Sequence, residues 1–412
     1  MNDLSNVRDR YESYKQLGLQ LNMTRGQPAD ANFDLSNPLF SIMDSEDYKT
    51  PSGIDVRNYP GGIAGLPEAR ELLCSILRVR PDEMIVGNNS SLHLMSDTLM
   101  WGLLKGLVNS PHPWIQDNPK MIITVPGYDR HFSLIEALGY ELVPVNMTGE
   151  GPDVEAVAEL AAADPSVKGI FFVPQYSNPT SETISLKAAH RLVSLEAAAP
   201  DFTVFADDAY CMHHLVDDPE PAPNLLRLAE VAGRPNRVIL FGSTSKITFA
   251  GAGIGIMAAS VETIGYLKKL LGLQAITPNK IEQYRHVRFL SKYPGGIQGL
   301  MRDHARVLRP KFEAVQRVLE EELGGTGLAT WTNPTGGYFV SMMTTKPVAD
   351  RVVALAKDAG VALTPAGATY PGFVDPENRN IRLAPSRPPL AEVEQAMRIV
   401  AICMRIASEE TK

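Results

Sequence analysis

Short apolar segments recur along the middle of the chain and alternate with longer segments that have the periodicity of helices. The apolar segments are MIVG (84–87), MIITV (121–125), GIFFV (169–173), FTVFA (202–206), VILFG (238–242) and GIMAAS (255–260). Apolar runs of this length are typical of strands that are buried on both faces. Their alternation with helices predicts a parallel sheet with helical crossovers, and therefore a protein of the α/β class.

The pattern changes after about residue 300. A long helix is predicted around 303–323, followed by a strand at GGYFVSM (336–342), another helix and a strand at IRLAPS (381–386). Because 412 residues exceed what a single core normally holds, two domains are expected. We predict a large domain over 59–299 and a smaller α+β domain from 1–58 and 300–412, with the short N-terminal segment packed on the smaller domain.

Composition and charge exclude several classes of protein. Hydrophobic residues make up 44% and charged residues 21% of the chain, as in ordinary globular proteins. A net charge of −8 disfavours nonspecific binding to nucleic acid or to an anionic membrane. No segment resembles a signal peptide or is long enough to span a bilayer, so a cytoplasmic location is expected.

Metal and disulfide sites are not predicted either. The three cysteines have no CxxC spacing, and adjacent His213 and His214 have no accompanying ligand set. We therefore interpret the two histidines as structural residues and expect no metal.

Polar residues follow several predicted strands, where ligands bind in open α/β sheets. Ser90 and Ser91 begin a helix after the first strand, where they would either bind a phosphate or simply cap the helix. Tyr128 in PGYDRH would either lie against a flat cofactor or simply pack against other side chains. Asn178 in SNPT would reach over the sheet edge or only form a turn.

Two further strand ends carry charged residues. Asp207 and Asp208 follow FTVFA, and a buried carboxylate there would need a cation such as a protonated pyridine nitrogen. A surface acid or helix cap is the alternative. Lys246 follows VILFG-STS, and an apolar setting would lower its pKa and make the amine a nucleophile. Alternatively, the lysine would extend into solvent.

The order of these motifs carries a resemblance to a known family. SS, PGY, SNPT, DDAY, STSK, GGYF and NIRLAPS resemble the motifs of fold-type I aminotransferases dependent on pyridoxal phosphate (PLP), from Gly26 to Arg382. TRGQPAD, RNYPGGIAGLPEARELL, PGYDRHF and SKITFAGAG are more specifically similar to bacterial aspartate aminotransferases of the subgroup related to the MocR-type aminotransferase domain. The expected fold is that of the fold-type I PLP-dependent transferases.

The resemblance implies three catalytic residues. Lys246 would form the internal aldimine and later move the proton between the substrate α-carbon and the cofactor. Asp207 would pair with the pyridinium nitrogen. Tyr210, together with Asn178, would bind the phenolic oxygen of the cofactor.

It also implies the remaining binding sites. Tyr128 would stack on the cofactor ring, and the phosphate would be held by Ser90, Ser91, Ser243 and Ser245. Tyr59 would reach the phosphate of the neighbouring subunit, which implies a homodimer with shared active sites. Arg382 would bind the substrate α-carboxylate through a bidentate pair, with Gly26 and Asn178 also contacting the substrate.

The chain departs from the family pattern at two places. Ile254 stands where most relatives have an arginine that binds the phosphate. No arginine for the side-chain carboxylate of the substrate can be assigned, although Arg25, Lys280 and Arg285 are candidates.

The predicted function is the ping-pong transfer of the amino group from L-aspartate to 2-oxoglutarate. An aminotransferase for aromatic amino acids, kynurenine or alanine remains open, as does a PLP-dependent lyase. A MocR-type regulator is disfavoured, since only about 58 residues precede Tyr59 and they lack a basic helix-turn-helix pattern.

Overall fold

The computed structural model describes residues 2–411 and is an alternation of helices and strands. The helices are α1 (Asn2–Gln16), α2 (Asp30–Asp34), α3 (Pro67–Leu77), α4 (Ser91–Lys105), α5 (Asp129–Ala137), α6 (Val154–Ala163), α7 (Leu186–Ser194), α8 (Leu225–Val231), α9 (Val261–Leu271), α10 (Lys280–Lys292), α11 (Gly296–Leu323), α12 (Ala349–Asp358) and α13 (Leu390–Glu410). Among the described residues, no helix has both the length and the apolar character needed to cross a membrane.

The strands form one large sheet and two small ones. The large sheet contains β2 (Met84–Val86), β3 (Lys120–Val125), β4 (Glu141–Asn146), β5 (Val167–Phe172), β6 (Thr203–Asp207), β7 (Val238–Ser243) and β8 (Gly255–Ala259), in the spatial order β2-β8-β7-β6-β5-β3-β4. One small sheet pairs β1 (Leu21–Met23) with β11 (Val361–Leu363). In the other, β10 (Val340–Thr344) lies between β9 (Ala329–Trp331) and β12 (Asn380–Leu383). The predicted α/β class is confirmed.

The large sheet is mostly parallel, but β8, the last of its strands along the chain, is antiparallel to its neighbours. Strand β8 runs antiparallel to both β7 and β2. The reason is the connection: only 244–254 join β7 to β8, and a parallel strand needs a crossover of a dozen or more residues. The short link therefore returns the chain beside β7 in the opposite direction.

One strand of the large sheet was not predicted from the apolar runs. Strand β4 lies at the edge of the large sheet and pairs only with β3. Its sequence ELVPVN contains a proline and several partly exposed side chains, as expected of an edge strand rather than a central one.

Each face of the large sheet is covered by its own hydrophobic core. On one face, Phe171, Phe205 and Phe241 stack from three neighbouring strands, with ring centroids 5.5 and 6.1 Å apart. On the other face, the core joins the sheet to α3, α6, α7, α8 and α10. Covering both faces explains why these strands read as continuous apolar runs.

A further core lies among α1, α12, α13 and the small sheets. Helix α11 spans two cores, since Leu300 belongs to the core of the large sheet and Phe312 to the further core. The predicted boundary at residue 300 therefore lies inside one continuous helix. Within the segment 1–58, Leu39 and Val56 pack against the large sheet, whereas Tyr11 and Met23 pack in the further core.

This packing favours a different division of 1–58 from the one expected from the sequence. Only the portion through β1 has the apolar side chains that the further core buries. We propose that the small domain takes the N-terminal residues through β1 and that 39–58 belong to the large domain.

Candidate active site

A cavity of about 150 Å³ lies beyond the carboxyl ends of β5, β6 and β7. The parallel strands deliver their strand-end residues to one edge of the sheet, as in other open α/β proteins. The lining consists of Ser90, Ser91, Leu92, Tyr128, Val173, Asn178, Asp207, Ala209, Tyr210, Ser243, Ser245 and Lys246. The structure thus brings together every cofactor-binding residue expected from the sequence except Tyr59.

Lys246 and Tyr210 face each other across this cavity. The Lys246 Nζ lies 4.8 Å from the centroid of the Tyr210 ring. Burial, reinforced by the nearby Asp207 carboxylate, raises the pKa of the Tyr210 phenol well above its usual value. The hydroxyl therefore stays protonated at neutral pH and can donate a hydrogen bond.

Asp207 is buried at the end of β6, with 4% of its surface exposed. One carboxylate oxygen, Oδ2, lies 2.9 Å from His131 Nε2 on α5. The other oxygen, Oδ1, is buried and has no partner among the described residues. Because a buried charge without a partner is unfavourable, this atom marks the place where a cationic group is expected.

Asp208 differs from Asp207 in its surroundings. It lies outside the cavity lining, and its backbone N–H donates to Phe241 O at 2.8 Å. Burial raises the pKa of the Asp208 carboxyl to about 7, with the Arg78 charge opposing the shift and Asp207 adding to it. The two adjacent acids therefore have separate environments, and only Asp207 reaches the cavity.

Serine hydroxyls line another part of the cavity. Ser243 Oγ and Ser245 Oγ lie 2.6 Å apart, and the Ser245 backbone N–H donates to Ser243 Oγ at 2.9 Å. Ser90 and Ser91 stand at the beginning of α4, and the Ser90 hydroxyl makes no capping bond to the helix. The helix terminus and these hydroxyls place uncharged hydrogen-bond donors at one end of the cavity, an arrangement suited to an anion.

Gly255 lets β8 approach the beginning of α4. A Cβ atom at this position would lie 2.6 Å from the carbonyl carbon of Ser90 and 2.7 Å from Ser91 N. Any larger residue would displace the helix terminus or the strand.

Ile254 does not contribute to this anion site. Its side chain is 1% exposed and belongs to the core, and its backbone N–H donates to Thr244 Oγ1 at 2.9 Å. In the described structure, the residues that line the cavity include no arginine. The helix terminus, the backbone N–H groups and the hydroxyls would therefore have to bind a phosphate without a guanidinium group.

A second cavity of about 210 Å³ shares Tyr128, Asn178, Tyr210 and Lys246 with the first. Arg382, on β12, lines it and is mostly buried. Its Nη1 donates to Asn178 Oδ1 at 3.2 Å and its Nε donates to Thr364 Oγ1 at 3.3 Å. These contacts hold the guanidinium group beside the lysine, and burial lowers its pKa from the usual value.

Gly26 and Phe339 form one wall of the second cavity. A Cβ atom on Gly26 would lie 2.4 Å from Phe339 Cζ, so only glycine fits against this ring. The Arg382 guanidinium lies 5.0 Å from the centroid of the same ring. Gly26 therefore fixes the position of Phe339, which in turn supports Arg382.

The three candidates for a second carboxylate site lie in different places. Arg25 lines the second cavity and, within residues 2–411, has no hydrogen-bonding or ion-pair partner. Lys280 instead donates to the carbonyl oxygens of Asn58 and Pro60. Arg285 donates to Leu39 O at 2.7 Å and pairs with Glu282 at 2.8 Å, so its guanidinium group is already bound.

Tyr59 does not line either cavity of its own chain. Its side chain is 67% exposed, on the loop whose carbonyl groups Lys280 binds. A single chain therefore provides no contact between Tyr59 and the other predicted cofactor residues.

Sequence reasoning missed three residues of the site. His131 lies next to Asp207, and Arg130 and Phe339 line the second cavity. His131 and Arg130 belong to the quoted PGYDRH segment. The sequence offered one indication of His131: the acid Asp207 at the end of a buried strand requires a hydrogen-bond partner from elsewhere in the chain.

The residues of the first cavity fit the cofactor that the sequence resemblance implies. The unpartnered Asp207 Oδ1 suits a protonated ring nitrogen, the serine hydroxyls suit a phosphate, and Lys246 supplies the amine. In the described part of the chain, no cluster of three or more His, Cys, Asp or Glu side chains is arranged for a metal ion.

Comparisons with known proteins give consistent matches. The family model described as aspartate amino-transferase matches residues 2–412. An aspartate aminotransferase of Corynebacterium glutamicum is 42% identical over 405 residues, which cover 98% of this chain and 93% of the relative.

Solved structures share the fold. An aspartate transaminase from Corynebacterium glutamicum superposes with a TM-score of 0.95 at 41% identity, over 99% of this chain and 96% of that one. LysN, an α-aminoadipate aminotransferase from Thermus thermophilus complexed with N-(5'-phosphopyridoxyl)-L-leucine, has a TM-score of 0.76 at 21% identity, over 95% of this chain and 93% of that one.

Proposed function

The chain belongs to the aspartate aminotransferase family, and on that premise we propose that it transfers the amino group of L-aspartate to 2-oxoglutarate with PLP as its cofactor. The products would be oxaloacetate and L-glutamate. The observation that carries the proposal is a buried carboxylate oxygen, Asp207 Oδ1, which has no protein partner and lines the same cavity as Lys246.

Lys246 is the proposed acid and base of the reaction. PLP supplies, when bound, an electron sink for the charge that remains as the α-proton leaves, and it carries the amino group between the two half-reactions. The Lys246 amine lines both cavities, so it can hold the proton that leaves the substrate α-carbon and return it to the cofactor side.

Asp207 and His131 act as a pair. The Asp207 carboxylate would keep the cofactor ring nitrogen protonated, and His131 would orient the carboxylate through the contact to Oδ2. Since both side chains are buried, water does not screen this charge.

Arg382 is the proposed site for the substrate α-carboxylate. Its planar group can form two parallel hydrogen bonds with a carboxylate, a geometry that lysine lacks. The contacts with Asn178 and Thr364 already hold it beside Lys246. Tyr210 and Asn178 would donate hydrogen bonds to the phenolic oxygen of the cofactor, and Tyr128 would pack on its ring.

We assign the second substrate carboxylate to Arg25. It lines the cavity that holds Arg382, and its charge adds to the effect of burial in lowering the Arg382 pKa. Lys280 and Arg285 are less suitable because backbone carbonyl groups already bind them. Arg382 and Arg25 together would bind the two carboxylates of a dicarboxylic substrate, whereas an aromatic substrate has only one.

The phosphate would be bound by Ser90, Ser91, Ser243 and Ser245, with the α4 terminus providing N–H groups. We further propose that a homodimer brings the exposed Tyr59 of one subunit to the phosphate site of the other. The protein itself would be located in the cytoplasm.

The proposal is tested by the absorbance spectrum of the purified protein. We expect a visible band from the lysine-bound cofactor that disappears when L-aspartate is added and returns with 2-oxoglutarate. A band that aspartate leaves unchanged, but that alanine, kynurenine or an aromatic amino acid removes, would reassign the substrate. Turnover without 2-oxoglutarate would indicate a lyase, and failure to bind PLP would refute the proposal.

A further inference from the structure

His213 lies directly behind the catalytic lysine, outside both cavities. Its side chain is 3% exposed, and its Nε2 lies 3.3 Å from the backbone carbonyl oxygen of Lys246. A carbonyl oxygen only accepts hydrogen bonds, so Nε2 must carry the proton. His213 is therefore in contact with the backbone that determines where the lysine side chain begins.

The same histidine contacts two other parts of the site. Its backbone N–H donates to Tyr210 O at 2.8 Å, and its backbone carbonyl accepts from Gly337 N at 2.8 Å. Its ring packs edge-on against Tyr210 and Tyr338, with centroid distances of 6.0 and 5.2 Å. Gly337 and Tyr338 immediately precede Phe339, the residue that supports Arg382.

The surroundings keep the His213 ring neutral. Burial is the main reason that the pKa of His213 is lowered to about 3, and the neighbouring His304 on α11, Lys246 and His214 contribute to this shift. The other groups that face the ring are Tyr210 and Tyr338, whose pKa values are both raised by burial. A neutral ring with a proton on Nε2 leaves Nδ1 as an acceptor, and Nδ1 has no partner among the described residues.

We propose that His213 is a positioning residue that holds the Lys246 backbone and ties the lysine to the segment carrying Phe339. This inference depends on the proposed function, since it assigns the histidine a role in placing the catalytic amine. His213 touches neither cavity, so it acts through Lys246 and Tyr210 rather than on the substrate. Its neutral ring provides a fixed donor throughout the working pH range.

The variants His213→Leu and His213→Gln test this role. Leucine removes the donor, whereas glutamine has an amide nitrogen that can replace Nε2. We expect His213→Leu to lower kcat by at least about ten-fold with a smaller change in KM, because small displacements of a catalytic group are costly. The pH midpoint of the absorbance of the lysine-bound cofactor should also shift, and His213→Gln should restore both properties.

His214→Leu is the matched control. This neighbouring ring is half-buried, and its Nδ1 lies 2.8 Å from the Tyr176 hydroxyl instead of contacting the Lys246 backbone. We expect the control to lose thermal stability without the shift in pH midpoint. If His213→Leu and His214→Leu change kcat and the spectrum equally, the positioning role is refuted.

A second measurement uses the protein without cofactor. In the ¹⁵N spectrum of histidine-labelled protein, His213 should show the neutral form with the proton on Nε2, unchanged from pH 5 to pH 9. A proton on Nδ1, or titration within this range, would overturn the proposal. The outcomes are separable: a wild-type protein without transamination refutes the proposed function, whereas this spectrum tests the histidine alone.

Discussion

Two adjacent acids, Asp207 and Asp208, have different roles because their carboxylates occupy different surroundings. Asp207 has a free oxygen at the cavity, while Asp208 lies outside it. Asp207→Asn should therefore lower kcat by about 10²- to 10³-fold, since breaking a buried ion pair costs several kcal/mol. Steady-state kinetics check this, with Asp208→Asn as the control. A comparable loss in the control would mean that the pairing with the cofactor is assigned to the wrong acid.

The raised pKa of Asp208 predicts how stability depends on pH. The folded protein holds this proton up to about pH 7, whereas the unfolded chain releases it near pH 4. Folding therefore binds a proton, and the contribution of Asp208 to stability falls as the pH rises from 4 to 7 and stays low above that.

Asp208→Asn should remove this dependence. We expect the variant to melt at a higher temperature than the wild type at pH 8, with the difference shrinking towards pH 5. The effect is at most about 4 kcal/mol, because one pKa unit corresponds to about 1.4 kcal/mol. Thermal unfolding of the cofactor-free proteins at both pH values measures it. A difference that grows towards low pH would contradict the assigned environment.

The guanidinium group of Arg25 is expected to select dicarboxylic substrates. Arg25→Gln should raise KM for aspartate by about ten-fold or more, the value of a charged hydrogen bond. KM for alanine should hardly change, because alanine has no second carboxylate. Arg130→Gln is the comparison, since Arg130 is an arginine that lines the same cavity and is exposed like Arg25. A larger effect at Arg130 would transfer the role to that residue.

At the level of elements, the beginning of α4 and the beginning of β8 are packed together at the phosphate site. Gly255→Ala would place a methyl group 2.6 Å from the Ser90 carbonyl carbon and should displace Ser90 and Ser91. We expect a weaker affinity for PLP, measured by titrating the cofactor-free protein. Gly251→Ala is the control, because a methyl group there meets nothing within 4 Å. Equal affinity in both variants would argue against this part of the site.

The elements also show where sequence patterns succeed. The runs from 84–87 through 255–260 became strands because both faces of the sheet are covered, which makes every position apolar. The pattern carries no direction, so the antiparallel course of β8 was decided by the short connection from β7. Edge strand β4 lacked the pattern because it contains a proline and several of its side chains are partly or fully exposed.

At the level of the whole molecule, the site is expected to be completed by a second subunit. Tyr59 is exposed and is not among the residues that line the cavity of its own chain. Lys246→Ala and Tyr59→Ala proteins should each have low activity. Refolding them together should restore activity, because a mixed dimer contains one site with an intact Lys246 from one chain and an intact Tyr59 from the other. Absence of recovery, with mixed dimers present, would show that Tyr59 does not act across the interface.

The sequence by itself determined the class of fold and most of the residues that line the first cavity. Asp207 ends β6 and Lys246 lies shortly beyond the end of β7, and parallel strands bring their carboxyl ends to one edge, so local patterns were sufficient to place them together. Arg382 and Gly26 were recognised through the family motifs they carry rather than through any local physical signal.

Tertiary structure alone decided the contacts between residues distant in the chain. His131 against Asp207, Gly26 against Phe339 and His213 behind Lys246 join residues from different elements. Only the structure showed that Lys280 and Arg285 bind backbone carbonyl groups while Arg25 remains at the cavity. The physical reason is that charge and hydrogen-bonding capacity can be read from a residue type, whereas the partner that satisfies them depends on how the elements pack.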